Sequence, residues 1–392
     1  MEQKNLVPKR RFKEFQNAHA WEQRRLGDVA EISAGGDIDK TKLSGFGKYP
    51  VIANALTNDG IIGYYENDFR IEAPAVTVTG RGDVGHAQAR KTNFTPVVRL
   101  LSVKSKHDVD FLEHAINKHK VLVESTGVPQ LTSPQLANYK IWFTSLEEEK
   151  KIGRFFCSLD NLITLHQRKL EKMKAIKSAY LSEMFPAEGE RVPKRRFAGF
   201  TQAWEQRKLG DMVEEIIDNR GKTPPIVSSS QYPLLEVASL GNDTPDYSKV
   251  TKYVDKETYK NWFRQHIKKG DILFATVGNT GVTAMMDGAH QATIAQNIVG
   301  FRPNEKFNSE FMLQMFNLPG NLKKAKRIEM GAVQPSVKVS QLIDVKYSVP
   351  SKEEQVKVGT FFANLDHLIT LHQRKLEKLQ NIKKAYLNEM FV

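Results

Sequence analysis

The chain has 392 residues, a single cysteine and a formal net charge of +13, with a pI near 9.5. That length leaves room for two to three domains with substantial cores. One thiol, Cys157, excludes an internal disulfide framework and a cysteine-based zinc cluster. No apolar run approaches the ~18–20 residues of a membrane span and no signal-peptide pattern opens the chain, so the expectation is a soluble, cytoplasmic protein with no membrane partner. The positive balance suits a polyanion, most simply nucleic acid, and suits a merely basic soluble protein equally well.

In chain order, the first signature is Val7-Pro-Lys-Arg-Arg-Phe12, followed by Trp21-Glu-Gln-Arg-Arg-Leu-Gly-Asp28. Residues 29–132 then alternate strand-like runs with turns. Tyr49–Ala53, Ile61–Tyr65, Ala75–Thr79 and Val97–Val103 read as strands; Gly35-Gly36, Asn58-Asp59-Gly60 and Gly80 to Gly85 read as turns. A short helical face carries Phe111, Leu112, Ala115 and Ile116 after Asp110. A long helix follows over residues 145–186. Its seam, Leu159, Ile163, His166, Leu170, Met173 and Tyr180, keeps the three-and-four spacing of a heptad. Pro186 to Gly189 breaks it.

The chain then begins again. Val192-Pro-Lys-Arg-Arg-Phe197 and Trp204-Glu-Gln-Arg-Lys-Leu-Gly-Asp211 repeat the opening. The basic triplet therefore belongs to the repeat unit and is not an import signal. Residues 212–340 diverge from the first copy almost completely, yet again read as strands: Leu234–Val237, Ile272–Thr276, Val282–Met285 and Ile294–Phe301. Asn308 or Ser309 caps a helix with Phe311, Met312, Met315 and Phe316 that stops near Pro319. The second long helix, 351–392, carries Leu365, Ile369, His372, Leu376, Leu379 and Tyr386 at the same seam positions. Leu162 to Lys172 and Leu368 to Lys378 are identical over eleven residues. A period of half the chain means duplication. Two matched narrow seams predict that the helices pack on each other, against the alternative that each packs on its own globule. The histidines in the seam read as register-fixing polar residues rather than metal ligands.

The expected fold class is therefore mixed α/β: two globules with β-rich α/β cores, joined by two long helices in an antiparallel coiled coil, with pseudo-twofold internal duplication. The expected boundaries are 1–144 for the first globule, 145–186 for its helix, 187–203 for a linker, 204–350 for the second globule and 351–392 for its helix.

Catalytic motifs are missing. Gly80-Arg-Gly-Asp-Val-Gly85 matches GxGxxG, but the helix that would meet a pyrophosphate does not follow. There is no Walker A loop, no HExxH, no GxSxG and no amino-methyltransferase tetrapeptide; Thr223-Pro224-Pro225-Ile226 fails at both ends. No catalytic, cofactor-binding or metal-binding residue is expected. What remains are polar turn residues beside basic ones: Lys40, Lys42, Asn54, Thr79, Arg81 and Gln88 in the first globule, and Asn219, Arg220, Lys222, Thr276, Asn279 and Thr280 in the second. Such side chains read base edges in a groove, although each taken singly reads as well as a solvated turn.

Signatures of the form Val-Pro-x-x-Arg-Phe, Trp-Glu-Gln-Arg-x-Leu-Gly-Asp and Leu-Asp-x-Leu-Ile-Thr-Leu-His-Gln-Arg-Lys-Leu-Glu, each present twice around variable globules, resemble the specificity subunit of Type I restriction–modification systems, over essentially the whole chain. Asp218-Asn-Arg-Gly-Lys-Thr-Pro-Pro225 also resembles a recurring variant of that family's DNA-reading domain. The resemblance implies two target-recognition domains, each reading one half of a bipartite asymmetric site in double-stranded DNA, and an antiparallel spacer that sets the gap. It implies as partners two modification (methyltransferase) subunits that bind S-adenosylmethionine and methylate adenine, and restriction (endonuclease/translocase) subunits that use ATP and Mg, with no cofactor in this chain. A coiled-coil scaffold with incidental DNA affinity and a self-contained DNA-modifying enzyme are the competing readings.

Overall fold

The computed structural model describes residues 6–119, 129–219, 221–241, 243–330 and 335–392. It falls into two compact units, Met1–Arg168 with Arg374–Val392, and Lys169–Gln373. Each unit contains one globule and a portion of both long helices.

The long helices span Leu146–Met184 and Lys352–Met390, each about 58 Å at 1.5 Å per residue. Glutamates crowd both first turns, where the N-terminal dipole favours them. Within the first unit, Phe155 meets Tyr386 edge-on at 5.1 Å and Asp160 pairs with Lys383. Residue numbers rise on one helix as they fall on the other, so the helices run antiparallel. Within the second unit the same contacts recur: Tyr180 meets Phe361 at 5.2 Å and Lys177 pairs with Asp366. The seam follows the heptad reading. Leu159, Ile163, His166 and Leu170 are buried, and Met173, Tyr180, Leu365, Ile369, His372, Leu376, Leu379 and Tyr386 are half-buried. Lys177 and Lys383, at seam spacing four residues after Met173 and Leu379, are held there by Asp366 and Asp160.

The globules share one topology despite their divergent sequences. In the first, a four-stranded antiparallel sheet runs Ala30–Ala34, Leu100–Ser105, Ala75–Thr79, Ala87–Arg90. A three-stranded sheet runs Ile61–Tyr65, Tyr49–Ile52, Thr95–Pro96, its last pair parallel. In the second globule the orders are Val213–Ile217, Ile298–Pro303, Ile272–Ala275, Thr283–Met285 and Tyr253–Val254, Tyr232–Leu235, Thr293–Ile294. Two runs expected as single strands contain turns: Val97–Val103 begins with one, and Ile294–Phe301 is split by one. Val97 to Arg99 form a turn closed by Leu100 N–H donating to Val97 O at 3.0 Å, with Arg99 at φ +70°. Ala295 to Asn297 interrupt the matching run, with Ile298 N–H bonded to Ala295 O. β-Branched content marks a strand but cannot reveal a turn inside it.

A short helix packs under each sheet. The first, Val109–Lys118, is capped by Asp108 rather than started at Asp110, the carboxylate accepting from Phe111 N at 3.0 Å. The second, Ser309–Asn317, is capped by Asn308. That helix stops near Pro319 as expected, and Pro319 opens a further helix, Pro319–Arg327, at the first-turn position proline tolerates.

The repeated signatures bind globule to helix. Trp21, Phe111 and Phe391 form one aromatic knot, with Phe111 and Phe391 stacked at 5.2 Å. Trp204, Phe311 and Phe185 form its counterpart, stacked at 5.4 Å. Glu22–Arg25 and Glu205–Lys208, just after each tryptophan, are strands paired with Lys140–Phe143 and Lys346–Val349. The basic triplets are also structural. Arg11 is buried in a two-bond pair with Glu148, and Arg196 with Glu354. Arg10 pairs with Glu389, and Arg195 with Glu183.

Candidate nucleic-acid interface

In the first globule three turns converge on Asn54. Its amide oxygen accepts from Gly80 N at 2.8 Å and its amide nitrogen donates to Val98 O at 3.1 Å. Gly80 lies so close to the turn at Arg99 that an added Cβ would overlap Arg99 O. Glycine is what this approach requires. The side chains that emerge from the junction are Arg81 and Arg99, both exposed. Thr79 stays inside the hairpin, its hydroxyl accepting from His86 N at 2.9 Å and donating to Asp83 O. Gln88 donates to Asp59 at 3.2 Å, beside the left-handed pair Asn58 and Asp59. A strand, Ala87–Arg90, follows this glycine loop, so the helix a pyrophosphate needs is absent there.

Lys40 and Lys42 sit on a short 3-10 turn, exposed, in the loop between Ala34 and Tyr49. Asp39 caps that turn. Thr41, through its hydroxyl and then its N–H, holds the Asp39 carboxyl below its ordinary value.

In the second globule Asn219 is buried and shapes its loop. Its oxygen accepts from Gly221 N at 3.2 Å and its nitrogen donates to Lys222 O at 3.1 Å, with Gly221 at φ +66°. Lys222 is thereby left exposed. Arg220 lies outside the described residues. Thr276 and Thr280 are buried, whereas Asn279 is exposed at the hairpin tip between them. That tip pairs through Val277 with Ser336, as Arg81 pairs with Gln130 in the first globule.

The structure thus brings Lys40, Lys42, Arg81, Lys222 and Asn279 to the surface on loops, and uses Asn54, Thr79, Asn219 and Thr276 to build those loops. Arg99 was missed, because a run of hydrophobics around it read as strand.

One other cluster has the chemistry of a metal site: Glu113, His114 and Asp160. His114 Nδ1 is 2.7 Å from Asp110 O and Nε2 is 3.0 Å from Asp160, which also takes Lys383. The second unit builds the same tie with an amide, Gln314 donating to Asp366 at 2.8 Å beside Lys177. The shared role is to fasten the short helix to the long one, and an amide performs it without a ligating ring.

Residues 19–175 and 201–381 match a family described as the Type I restriction modification DNA specificity domain. The chain belongs to that family. The two matched segments are the two copies, globule and helix together. A Type I restriction enzyme specificity subunit, MjaVIII, from Methanocaldococcus jannaschii is 23% identical over 400 residues, covering 94% of this chain and 91% of that one. A putative Type I specificity subunit of Mycoplasma pneumoniae is 32% identical over 136 residues, covering 33% of this chain and 37% of the relative. The crystal structure of a Type I restriction–modification S subunit from M. genitalium has the same fold, with a TM-score of 0.70 over 99% of both chains at 15% identity. This specificity subunit therefore has a DNA-recognition role, and the loops above are its candidate reading surface. Among the described residues no helix is long and apolar enough to cross a membrane.

Proposed function

We propose that this specificity subunit is the non-catalytic reader of a Type I restriction–modification complex. Each globule reads one half of a bipartite, asymmetric site in double-stranded DNA. Two modification subunits, holding S-adenosylmethionine, methylate adenine at that site, and restriction subunits using ATP and Mg translocate and cut. The observation that carries this reading is the pairing of identical frameworks with unlike tips. Both globules have the same sheets and the same aromatic knot, yet where the first presents Arg81 on its hairpin and Arg99 on the adjoining turn, the second has Val277 and Asn297. Equal frames with different reading groups give two different half-sites.

A repeated outward face supports two equal partners. Leu162 and Leu165 are 44% and 45% exposed, and their copies Leu368 and Leu371 are 40% and 52% exposed. They lie off the seam, inside the stretch that is identical in both copies. An apolar surface retained twice fits two molecules of one partner.

The test is a graft. Replacing residues 29–132 with the globule of another specificity subunit should change one half of the methylated site, as read by methylation mapping. A change in both halves refutes independent reading. In parallel, the complex should bind its duplex with log affinity falling steeply against log salt. A flat response would favour a scaffold.

A further inference from the structure

Phe46 is the most exposed large apolar side chain among the described residues, at 83%. It stands at the centre of Gly45-Phe46-Gly47, in the loop that carries Lys40, Lys42 and Lys48. Leaving such a ring in water forgoes the stabilisation that burial gives. Scattered exposed apolar residues are ordinary on protein surfaces, so exposure alone decides nothing. The surroundings decide.

The tip is held rigidly. Ser44 exchanges two backbone hydrogen bonds with Tyr64, at 3.1 and 2.9 Å. On the returning side Tyr49 is already paired with Tyr65. Gly47 lies flat on this support, since a Cβ there would stand 2.9 Å from Tyr64 Cβ. Gly45 faces open space, with nothing within 4 Å of an added Cβ. Two pinned arms and a glycine on each side of the ring project Phe46 away from the globule. Lys42 and Lys48 are exposed beside it, the Lys48 amine lying over the Tyr49 ring at 5.1 Å. The loop also carries Asp37 and Asp39; the Asp39 carboxylate accepts from Thr41 and lies 3.9 Å from the Lys42 amine, an exposed pair that a phosphate can replace.

The second globule supplies a control within the chain. Its stem is the same: Val227 pairs with Tyr253 where Ser44 pairs with Tyr64, and Tyr232 pairs with Val254 where Tyr49 pairs with Tyr65. Counted from either arm, the residue matching Phe46 is Ser229, also exposed. The loop does not need an apolar side chain to fold. At this tip position the first globule has one and the second does not, although Ile226, three residues before Ser229, is 45% exposed.

We propose that Phe46 is a wedge of the first globule that stacks into the duplex at its half-site, with Lys40, Lys42 and Lys48 against the flanking phosphates. This rests on the first globule reading DNA. A flat ring on a rigid tip flanked by cations has the chemistry to enter a base step: the ring replaces lost stacking and the cations offset the phosphate charge. The second half-site, facing Ser229, is left stacked.

The experiment uses the specificity subunit assembled with its methyltransferase partner, on the duplex identified by methylation mapping. Variants are Phe46→Ala, Phe46→Trp and, at the matching tip, Ser229→Ala. Phe46→Ala should weaken specific binding roughly 10- to 100-fold with melting temperature and subunit assembly unchanged. Phe46→Trp should bind as the parent does, and Ser229→Ala should have no effect. 2-Aminopurine placed along the first half-site should brighten at one step on binding, and that signal should vanish with Phe46→Ala. Undiminished affinity and fluorescence in Phe46→Ala would overturn the proposal. So would loss of the methyltransferase subunit from that variant, which would make Phe46 a protein contact. If the unmutated complex itself shows no specific binding, the reading of the first globule fails instead.

Discussion

Each long helix carries a glycine near its start, Gly153 and Gly359. In a helix interior, glycine to alanine ordinarily stabilises by about 1 kcal/mol. Here the sign should reverse. A Cβ on Gly153 would stand 2.8 Å from the Phe111 backbone nitrogen, 3.0 Å from Asp110 Cβ and closer still to Asp108 Oδ1. Asp108 Oδ1 is the atom that caps the short helix. Turning that carboxylate aside loses the cap, about 1 kcal/mol. The Phe111 nitrogen can retreat only if the short helix moves, and Phe111 is fully buried in the aromatic knot; such overpacking costs about 1–3 kcal/mol. Set against the gain in helix propensity, Gly153→Ala should destabilise the first unit by about 1–3 kcal/mol. Gly359→Ala should do the same to the second, where the distance to Phe311 N is again 2.8 Å. The assay is thermal and urea unfolding of the full chain, at about 2–4 °C per kcal/mol for units of this size. Because the two glycines lie in different units, their effects should add. A neutral or stabilised Gly153→Ala protein would refute the argument that backbone contact fixes this position.

The buried arginines give a second test. Arg11→Ala or Arg196→Ala strands Glu148 or Glu354, whose side chains are 1% and 2% exposed, and should cost about 3–5 kcal/mol; replacing both partners by methionine should recover much of that loss in urea titrations. Asp243 gives a pH test in the second unit. Burial, then the adjacent Asp366, pushes its carboxyl up to about 6, with Lys177 pulling the other way. A raised carboxyl means the folded state holds its proton more tightly, so its contribution falls as pH rises from about 4 to 6 and is flat above. Asp243→Asn should therefore stabilise by on the order of 2–3 kcal/mol above pH 6, with the difference from the parent vanishing below pH 4 in melting curves; a pH-independent difference would contradict this. Inserting one heptad in the first long helix adds about 10 Å of rise. It should lengthen the gap in the methylated site by about three base pairs at 3.4 Å each; an unchanged gap would show that the helices do not set it.

Much of the architecture is legible in the sequence. The duplication, the two long helices and their seams all follow from local periodicity, and a helix of 39 residues with a three-and-four pattern has few alternatives. The strands around Tyr49, Ile61, Ala75 and Ile272 are legible because alternation and turn residues are also local. The candidate site was less legible. Asn54, Thr79 and Asn219 read as polar turn residues, and they are polar because they build turns; their exposed neighbours present the charge. Arg99 was hidden in a run that looked like strand.

The sequence by itself determined that the chain is duplicated, helical at its seams and equipped with unlike globules, because spacing and identity are properties of neighbours along the chain. The tertiary structure decided what neighbours in space share. Two divergent globules have one topology, one arginine of each basic triplet is in a buried ion pair, glycines in the long helices meet a capping atom, and Phe46 stands out where Ser229 does in the other copy. Burial and pairing depend on residues a hundred or more positions apart, such as Arg11 and Glu148, and no local pattern encodes which distant group will arrive.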